Sequence, residues 1–194
     1  MLIGLMGKSG CGKTTVSLLF KEFNNNIKVL EVDKIGHKAY TDKAVKNKML
    51  TYFGKEIFDD DLNIDRRKLA SIVFNDYSMM QKLYDATYEY MQKEIDSFIS
   101  NNDIVILDYA LLPLTKYYDM CDLKLLVTSD YLTRCQRVTV RDNISKEKYD
   151  ERDANSVDYS STYFDYVIEN NSDTNNLRKV IGDIYEKSII PRKF

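Results

Sequence analysis

The chain begins with a short apolar run that leads into glycines, a lysine and two threonines, and this stretch constrains the fold more than any other. It reads MLIGLMGKSGCGKTTVSLLF. Gly7, Gly12, Lys13 and Thr14 match the pattern GxxxxGK[ST], between an apolar strand and an amphipathic helix. A phosphate-binding loop requires that context, because amides at the positive end of the helix cradle the phosphates. The stretch therefore predicts an α/β fold that binds a nucleoside triphosphate.

Several residues of this phosphate loop, residues 7–15, have specific expected roles. Gly7 and Gly10 permit positive φ, and Gly12 lets the backbone approach phosphate oxygens. Lys13 supplies a cation at the β and γ phosphates, and the Thr14 hydroxyl is placed to ligate Mg²⁺. We expect the Lys13 side chain to face solvent before a nucleotide binds. The predicted nucleotide contacts of the loop are Gly7, Lys8, Ser9, Gly10, Cys11, Gly12, Lys13, Thr14 and Thr15.

The same stretch also has a simpler interpretation. A glycine-containing turn between a strand and a helix need not bind anything. Within a loop that does bind phosphate, Lys8 and Thr15 have weaker claims than the other residues: Lys8 could be a solvated loop residue, and Thr15 could touch the α phosphate.

Short apolar runs alternate with helical patterns along the rest of the chain, which is typical of a parallel sheet with crossover helices. The five runs are 2–6, 28–32, 104–107, 123–127 and 166–168. They predict a five-stranded parallel sheet buried on both faces. About 70 residues separate the second and third runs, far more than one crossover needs. This insertion, about 41–101, is expected to hold helices near 41–53, 65–74 and 76–100 and to bind a second substrate.

Composition limits the class of protein. A length of 194 residues fits a single domain, and a net charge of −2 gives no general attraction to nucleic acid or to an anionic membrane. Three cysteines without a CxxC pair favour a reducing cytoplasm over a disulfide scaffold or zinc site. No apolar run approaches ~20 residues, so we expect no membrane span. The oligomeric state stays open.

Two acidic residues end predicted strands at the edge where the phosphate loop leaves the sheet. Asp33 follows the second run and could accept a proton from an incoming hydroxyl or hold a water on Mg²⁺, or it could cap a helix starting at Ile35. Asp108 follows the third run, which we expect beside the loop's own strand, and could reach Mg²⁺ or simply cap the strand end. His37, the single histidine, is either a substrate contact or a solvated side chain.

A charged helical stretch follows the fourth strand. It contains Arg134, Arg137, Arg141 and Arg152 within a predicted lid, about 134–156. Arginines there could close over a triphosphate and neutralise charge in the transition state. Nearby acidic residues could instead pair with them on a solvated face. We favour Arg141 as catalytic and Arg137 as a nucleotide contact.

Taken together, these residues resemble the dephospho-coenzyme A kinase family over nearly the whole chain. The family's glycine-rich loop is similar to GLMGKSGCGKTT, its Asp-x-Asp-x-Ile-x-His segment to EVDKIGH, and its lid motif to RVTVRD. FGKEIFDDDLNIDRRKLASIVFND resembles a coenzyme-side segment, which implies substrate contacts at Asp65 and Arg66. DYALLPL resembles the segment that carries Asp108. FDYVIENNSDTNNL resembles the segment near adenine, which implies a nucleotide contact at Asn170.

The chain also departs from the family pattern. Tyr88 and Glu89 replace a His-Pro pair, Ala110 replaces a proline, and a glutamine that normally follows the lid is absent near Ser156. These changes concern the acceptor side more than the phosphate-transfer side.

The resemblance implies a three-layer P-loop kinase fold within one domain, 1–194, and an enzyme that uses ATP and Mg²⁺. The small-molecule acceptor would be dephospho-coenzyme A, phosphorylated on its ribose 3′-hydroxyl. Lys13, Asp33 and Arg141 would be catalytic, and Asp33, His37, Asp65, Arg66 and Asp108 would lie on the substrate side, with Thr14 and Asp108 at the metal. The alternatives are a kinase of the same fold acting on another nucleotide or nucleoside, and a paralogue that binds ATP without turnover.

Overall fold

A five-stranded sheet forms the centre of the first of two units into which the chain divides. That unit comprises Met1–Leu30 and Asn102–Phe194, and the second unit comprises Glu31–Asn101. The computed structural model describes residues 1–73, 76–171 and 173–192, without the side chains of Tyr77 and Arg192. The predicted insertion, about 41–101, falls within the second unit.

The strands are β1 (Leu2–Met6), β2 (Ile27–Glu31), β3 (Ile104–Asp108), β4 (Leu123–Thr128) and β5 (Tyr166–Glu169). The helices are α1 (Lys13–Phe23), α2 (Val32–Ala39), α3 (Lys43–Phe53), α4 (Arg66–Val73), α5 (Tyr77–Ser100), α6 (Tyr117–Met120), α7 (Tyr131–Asp142), α8 (Lys146–Ala154) and α9 (Thr174–Ile184). A π-helical turn, Tyr185–Ile189, continues α9, and short 3₁₀ turns lie at Lys55–Ile57, Leu112–Leu114 and Ile190–Arg192.

The strand that leads into the phosphate loop lies at the middle of the sheet. The order is β2-β3-β1-β4-β5, and β1 pairs in parallel with β3 on one side and β4 on the other. All five residues of β1 are buried, as expected for a strand covered on both faces. The predicted α/β class with a five-stranded parallel sheet is confirmed, and so is the position of β3 beside β1.

Alternate side chains of β1 enter different layers of the structure. Ile3 and Leu5 point into a core shared with Val16 and Phe20 of α1. Gly4 points to the opposite face, where an added Cβ would lie 2.7 Å from the Leu112 side chain. Only a glycine therefore lets the 3₁₀ turn at Leu112–Leu114 pack this closely on the central strand.

The second unit has a hydrophobic core of its own. Val45, Met49 and Phe53 recur every four residues on α3 and form one buried stripe. Leu69 of α4 and Ala86 of α5 belong to the same cluster. Helix α2, α3 and α4 each contact the long helix α5, so α5 organises this unit.

The observed boundaries differ from the predicted ones in a few places. Val32, predicted as the end of the second strand, begins α2, because Val32, Ile35 and Ala39 together form the buried face of that helix. Asp33 lies in the first turn of α2 rather than capping it, so the helix-cap interpretation is wrong. The predicted end of the fourth helix at Phe74 lies outside the described residues.

The two helices of the predicted lid are tied together by a buried ion pair. The Arg134 guanidinium of α7 contacts both carboxylate oxygens of Asp153 on α8, and it also donates to the hydroxyl of Tyr149 at 2.9 Å. Tyr149 is fully buried. Arg134 also donates to Ser129 O at 3.1 Å, which fixes the pair to the end of β4.

Within the described residues, no helix is both long enough and apolar enough to cross a membrane.

Replacing Asp153 by asparagine should destabilise the protein. The Arg134 guanidinium holds the pKa of Asp153 below its ordinary value of 3.8, so the pair favours the folded state while the carboxylate is ionised. At pH 7 we expect Asp153→Asn to lower the free energy of unfolding by about 1.5–3 kcal/mol, the range for hydrogen bonds to charged groups. Urea denaturation measures this loss.

The pH dependence of that loss tests its cause. Because the folded-state pKa is depressed, the stabilisation is present above the unfolded value and disappears as the pH falls through the folded value. The difference between wild type and variant should therefore shrink below about pH 4. Glu151→Gln on the same helix, an exposed acid, is the matched control and should cause a much smaller loss. Equal losses for the two variants would contradict the prediction.

Candidate active site

The phosphate loop has the backbone geometry that its glycines permit. Gly7, Gly10 and Gly12 have φ angles of 147°, 82° and 96°, a range that residues with side chains rarely adopt. Gly12 also precedes α1 directly, and an added Cβ there would lie 2.0 Å from Nδ2 of Asn170. The predicted positive φ of Gly7 and Gly10 is confirmed, and Gly12 shares it.

Lys13 is the first residue of α1, and its side chain turns back over the loop. Its Nζ donates to Gly7 O at 3.0 Å and lies 3.9 Å from Oδ1 of Asp108. The side chain is only 16% exposed, so the expectation that it faces solvent is wrong. The loop curls around the ammonium group because a carbonyl and a carboxylate both stabilise its charge there.

Asp108 reaches this position through strand register. It ends β3, opposite Leu5 of β1, one residue before β1 ends. Its side chain is 9% exposed, and Lys13 provides the nearby positive charge. A buried carboxylate beside a phosphate loop can accept a hydrogen bond from a water bound to Mg²⁺, or it can bind the cation directly. Thr14, which follows Lys13 in the first turn of α1, is exposed.

Arg137 and Asn170 brace the loop from the side. Arg137 donates to Gly10 O at 3.3 Å and to Asn170 O at 3.1 Å. The buried side chain of Asn170 donates to Cys11 O at 2.8 Å. The structure therefore brings the predicted nucleotide contacts Arg137 and Asn170 together at the loop, where both bind the loop backbone.

Arg141 lies at the end of α7, close to the loop. Its guanidinium is 3.4 Å from the Ser9 hydroxyl and donates to both carboxylate oxygens of Asp142, at 2.7 and 3.0 Å. Arg152 of α8 donates to the same carboxylate at 2.6 Å. Arg141, followed by Arg152, holds the pKa of Asp142 at about 2, so this carboxylate stays ionised and keeps the two arginines together.

Cys11 of the loop is an unreactive thiol. It is buried, and burial raises its pKa above 9.0 in spite of the nearby Lys13. Since the thiolate is the nucleophilic form, Cys11 is protonated near neutral pH and contributes to packing. Its Sγ would lie 2.7 Å from a Cβ at Gly7, so it also helps to require glycine there.

The predicted substrate-side residues of the second unit lie on α2 and α4. Asp33 and His37 are both exposed on α2, one turn apart, and the His37 ring lies 6.3 Å from that of Tyr40. Partial desolvation and then the charge of Arg66 lower the pKa of His37 below 6.5, while Asp33 acts in the opposite direction. The structure thus gathers Asp33, His37 and Arg66 into one electrostatic group.

Asp65 has a local structural role. Its carboxylate accepts hydrogen bonds from the amides of Arg67 and Lys68, at 2.9 and 3.2 Å, at the start of α4. These bonds hold its pKa below the ordinary value. Helix capping therefore already uses one oxygen of this predicted substrate contact.

Tyr88 and Glu89, two of the residues that depart from the family pattern, make ordinary surface contacts within α5 and with α3. The Tyr88 hydroxyl accepts from Gln92 at 2.7 Å, and Glu89 pairs with Lys48 at 3.3 Å. The Tyr88 ring also packs against that of Tyr84, 5.1 Å away.

Sequence comparison now identifies the family. The family model for dephospho-CoA kinase matches residues 1–176 of this chain. The chain belongs to the dephospho-CoA kinase family. It is 33% identical to the dephospho-CoA kinase of Aquifex aeolicus over 95% of this chain and 96% of that protein. It is 32% identical to that of Fusobacterium nucleatum over 93% of this chain and 95% of the relative.

Solved structures share the fold. A protein of Thermus thermophilus superposes with a TM-score of 0.83 at 22% identity, covering 96% of this chain and 97% of that one. The dephospho-CoA kinase of Campylobacter jejuni gives a TM-score of 0.62 at 18% identity, covering 96% of each chain. A shikimate kinase of Acinetobacter baumannii gives 0.54 at 13% identity, covering 100% of this chain and 95% of that one, so the P-loop kinase fold is confirmed.

Two residues at the loop were not selected from the sequence. Asp142 is the last residue of RVTVRD, directly beside Arg141, and the two adjacent opposite charges could have predicted the pair. Tyr159 accepts a hydrogen bond from Gly7 N at 3.2 Å and belongs to no motif. Only the folded chain brings it to the loop.

The single histidine allows a direct test of the electrostatic group on the second unit. We expect His37 to titrate below 6.5, so that the imidazole is neutral at pH 7. Arg66→Gln removes a nearby positive charge and should raise that pKa, whereas Asp33→Asn removes a negative charge and should lower it. An NMR titration of the ring protons measures both shifts without assignment ambiguity.

Arg67→Gln is the matched control for the histidine titration. It removes the neighbouring charge of α4, which does not contribute to the shift of His37, and should leave the titration unchanged. A pKa that falls or stays constant in Arg66→Gln would show that Arg66 does not act on His37.

Proposed function

We propose that this chain is an ATP-dependent kinase that phosphorylates the ribose 3′-hydroxyl of dephospho-coenzyme A, giving coenzyme A and ADP. Membership of the dephospho-CoA kinase family carries the proposal, and the placement of Lys13 between Gly7 O and Asp108 supports it. Phosphoryl transfer needs a positioned triphosphate and stabilisation of spread negative charge more than covalent chemistry. The phosphate loop and the lid arginines provide groups for both tasks.

ATP binds at the phosphate loop in this proposal. Loop amides and the N-terminus of α1 hold the phosphates, and Lys13 moves its ammonium toward the β and γ oxygens. Arg137 and Asn170 lie on the adenine side. The Arg141 guanidinium lies 3.4 Å from the Ser9 hydroxyl of the loop, and in this proposal it neutralises charge on the γ phosphate during transfer.

The donor set at the loop fits Mg²⁺. That ion usually keeps several waters and takes one or two protein oxygens together with substrate phosphates. The Thr14 hydroxyl and the buried Asp108 carboxylate supply such oxygens, and no group of three or more His, Cys, Asp or Glu side chains among the described residues offers a fuller cage. Bound Mg²⁺ would neutralise charge on the β and γ phosphates.

The acceptor side belongs to the second unit in this proposal, with the helical insertion of about 41–101 as its main part and 134–156 as the lid of a single kinase domain. Asp33 orients the 3′-hydroxyl and accepts its proton late in a loose transition state. His37 and Arg66 contact the acceptor, and Asp65 orders the start of α4 beside them. A neutral His37 can donate and accept a hydrogen bond at pH 7.

The changed residues of the acceptor side favour a second candidate function. Tyr88, Glu89 and Ala110 replace residues of the family pattern, so a kinase of the same fold acting on another nucleotide is the alternative. Purified protein with ATP, Mg²⁺ and a panel of dephospho-coenzyme A, AMP and adenosine separates the two. The proposal requires ADP formation that depends on dephospho-coenzyme A. Turnover only with another acceptor supports the alternative, and ATP binding without any turnover indicates a paralogue that does not catalyse transfer.

Lys13→Ala should lower kcat by several orders of magnitude, because no other residue of the loop places a comparable cation at the transferred phosphate. Steady-state ADP release with saturating acceptor measures the effect. Lys21→Ala, at the exposed end of the same helix, is the matched control and should retain full activity. A Lys13→Ala variant that keeps more than about a tenth of kcat, a loss below ~1.4 kcal/mol, would contradict the assigned role.

Asp33→Asn keeps the size of the side chain and an oxygen acceptor but removes the charge. It should cut acceptor phosphorylation by at least ~100-fold, within the ~10²–10⁴ expected of general base catalysis. Calorimetry should show ATP binding in the presence of Mg²⁺ unchanged. Asp60→Asn, an exposed acid of the same unit, is the control. Loss of Mg²⁺-dependent ATP binding with normal turnover at saturating metal would instead make Asp33 a metal-shell residue.

A further inference from the structure

Side chains bind the backbone of Gly7 at both its N–H and its C=O. Its N–H donates to the Tyr159 hydroxyl at 3.2 Å, and its carbonyl accepts from Lys13 Nζ at 3.0 Å. An added Cβ would lie 2.4 Å from Val127 O, so the backbone has no room to shift toward β4. The position of the carbonyl that receives Lys13 therefore depends on what holds the N–H.

Tyr159 makes a second bond that reaches the neighbouring strand. Its hydroxyl donates to Ala110 O at 2.8 Å, two residues beyond Asp108. A phenol has one proton to donate and lone pairs to accept, so this arrangement uses its donor and an acceptor site together. One oxygen atom thus links the residue that follows β1 to the segment that follows β3.

The two linked segments are the ones that carry the groups near the transferred phosphate. Lys13 is bound to Gly7, and Asp108 lies just before Ala110, with 3.9 Å between Nζ and Oδ1. Moving either segment by a fraction of an ångström changes that separation. Small misplacements of positioning groups are costly in catalysis, up to about 10²-fold for ~1 Å.

Tyr159 is itself well anchored. It lies in the segment between α8 and β5, where its ring packs edge-on against Phe164 at 5.9 Å. Asp165 N donates to Lys124 O, and the Asp165 carboxylate accepts from Lys124 N, which fixes the end of the segment to β4. The hydroxyl is therefore presented to the loop from a rigid support.

We propose that Tyr159 is a positioning residue for phosphoryl transfer, acting through Gly7 on Lys13 and through Ala110 on Asp108. This inference rests on the proposed kinase function. The role belongs to the hydroxyl, because the ring can keep its packing against Phe164 when the oxygen is absent.

Tyr159→Phe tests the hydroxyl while retaining the ring. We expect kcat to fall about 10-fold or more and the KM for ATP to rise only about 3- to 5-fold, because a misplaced Lys13 weakens binding of the triphosphate but weakens transition-state stabilisation more. Tyr163→Phe is the matched control from the same segment; its ring is 68% exposed and its hydroxyl donates only to nearby Asp165 among the hydrogen bonds of the described residues. It should retain wild-type kcat.

Thermal melting separates positioning from a purely structural role. If Tyr159→Phe lowers the Tm but keeps wild-type kcat at a temperature where it is fully folded, the proposal is overturned. A loss of kcat in Tyr163→Phe equal to that in Tyr159→Phe would overturn it as well.

A double-mutant cycle on ATP binding keeps the inference testable if the kinase function fails. Calorimetry gives the factor by which Lys13→Ala weakens binding of Mg²⁺-ATP in wild type and in Tyr159→Phe. If the hydroxyl positions Lys13, the factor should be at least about 3-fold smaller in the Tyr159→Phe background. Equal factors overturn the proposal. Absence of acceptor-dependent turnover in wild type refutes the proposed function instead, and the cycle then decides on Tyr159 alone.

Discussion

The ammonium group of Lys13, held between a carbonyl and a carboxylate, is the interaction on which the phosphate loop depends. It contacts Gly7 O at 3.0 Å and lies 3.9 Å from the Asp108 carboxylate, in a largely buried position where electrostatic interactions are stronger than in water. The three positive φ angles of the loop curl the backbone around it.

Helix α7 places three arginines with different surroundings along one face. Arg134, Arg137 and Arg141 recur at intervals of three and four residues, with Val138 between them, and an added Cβ at Gly10 would lie 2.8 Å from Val138. Arg134 is buried and forms an ion pair with Asp153, which holds α7 and α8 together. Arg137 and Arg141 are exposed and bind the loop through weaker, longer hydrogen bonds. A charged ligand can compete for the second kind of arginine far more easily than for the first.

The second unit gathers its polar groups by helix geometry. Asp33 and His37 share a face of α2 because they are four residues apart, and α4 supplies Arg66. After desolvation, the charge of Arg66 lowers the pKa of His37 and the charge of Asp33 raises it, so both side chains contribute to the environment of the imidazole. Under the proposed function, an anionic acceptor bound at this group would raise that pKa.

Local patterns in the sequence determined the phosphate loop, the five strands and the position of Asp108, because each depends on residues within a few positions of one another. GxxxxGK[ST] requires its glycines for positive φ, and apolar runs of four to six residues mark buried strands. The charged helix after β4 extended this to Arg137 and Arg141, and resemblance to a family added Asn170; all three lie against the loop. On the second unit, Asp33 was selected from its place after a strand and Arg66 from the resemblance, and the structure adds their surroundings.

Tertiary structure alone decided how these parts are held. The burial of Lys13 depends on Asp108, which is remote in the chain, and the bond from Gly7 to Tyr159 joins residues 152 positions apart. Likewise, the sequence around Val32 fits the end of a strand as well as the start of a helix, and only the packing of Val32, Ile35 and Ala39 on one buried face shows that it begins α2. Contacts of this kind leave no periodic pattern in the sequence, because each involves a single hydroxyl or carboxylate and one partner remote in the chain. The packing of the sheet decides which partner lies within reach.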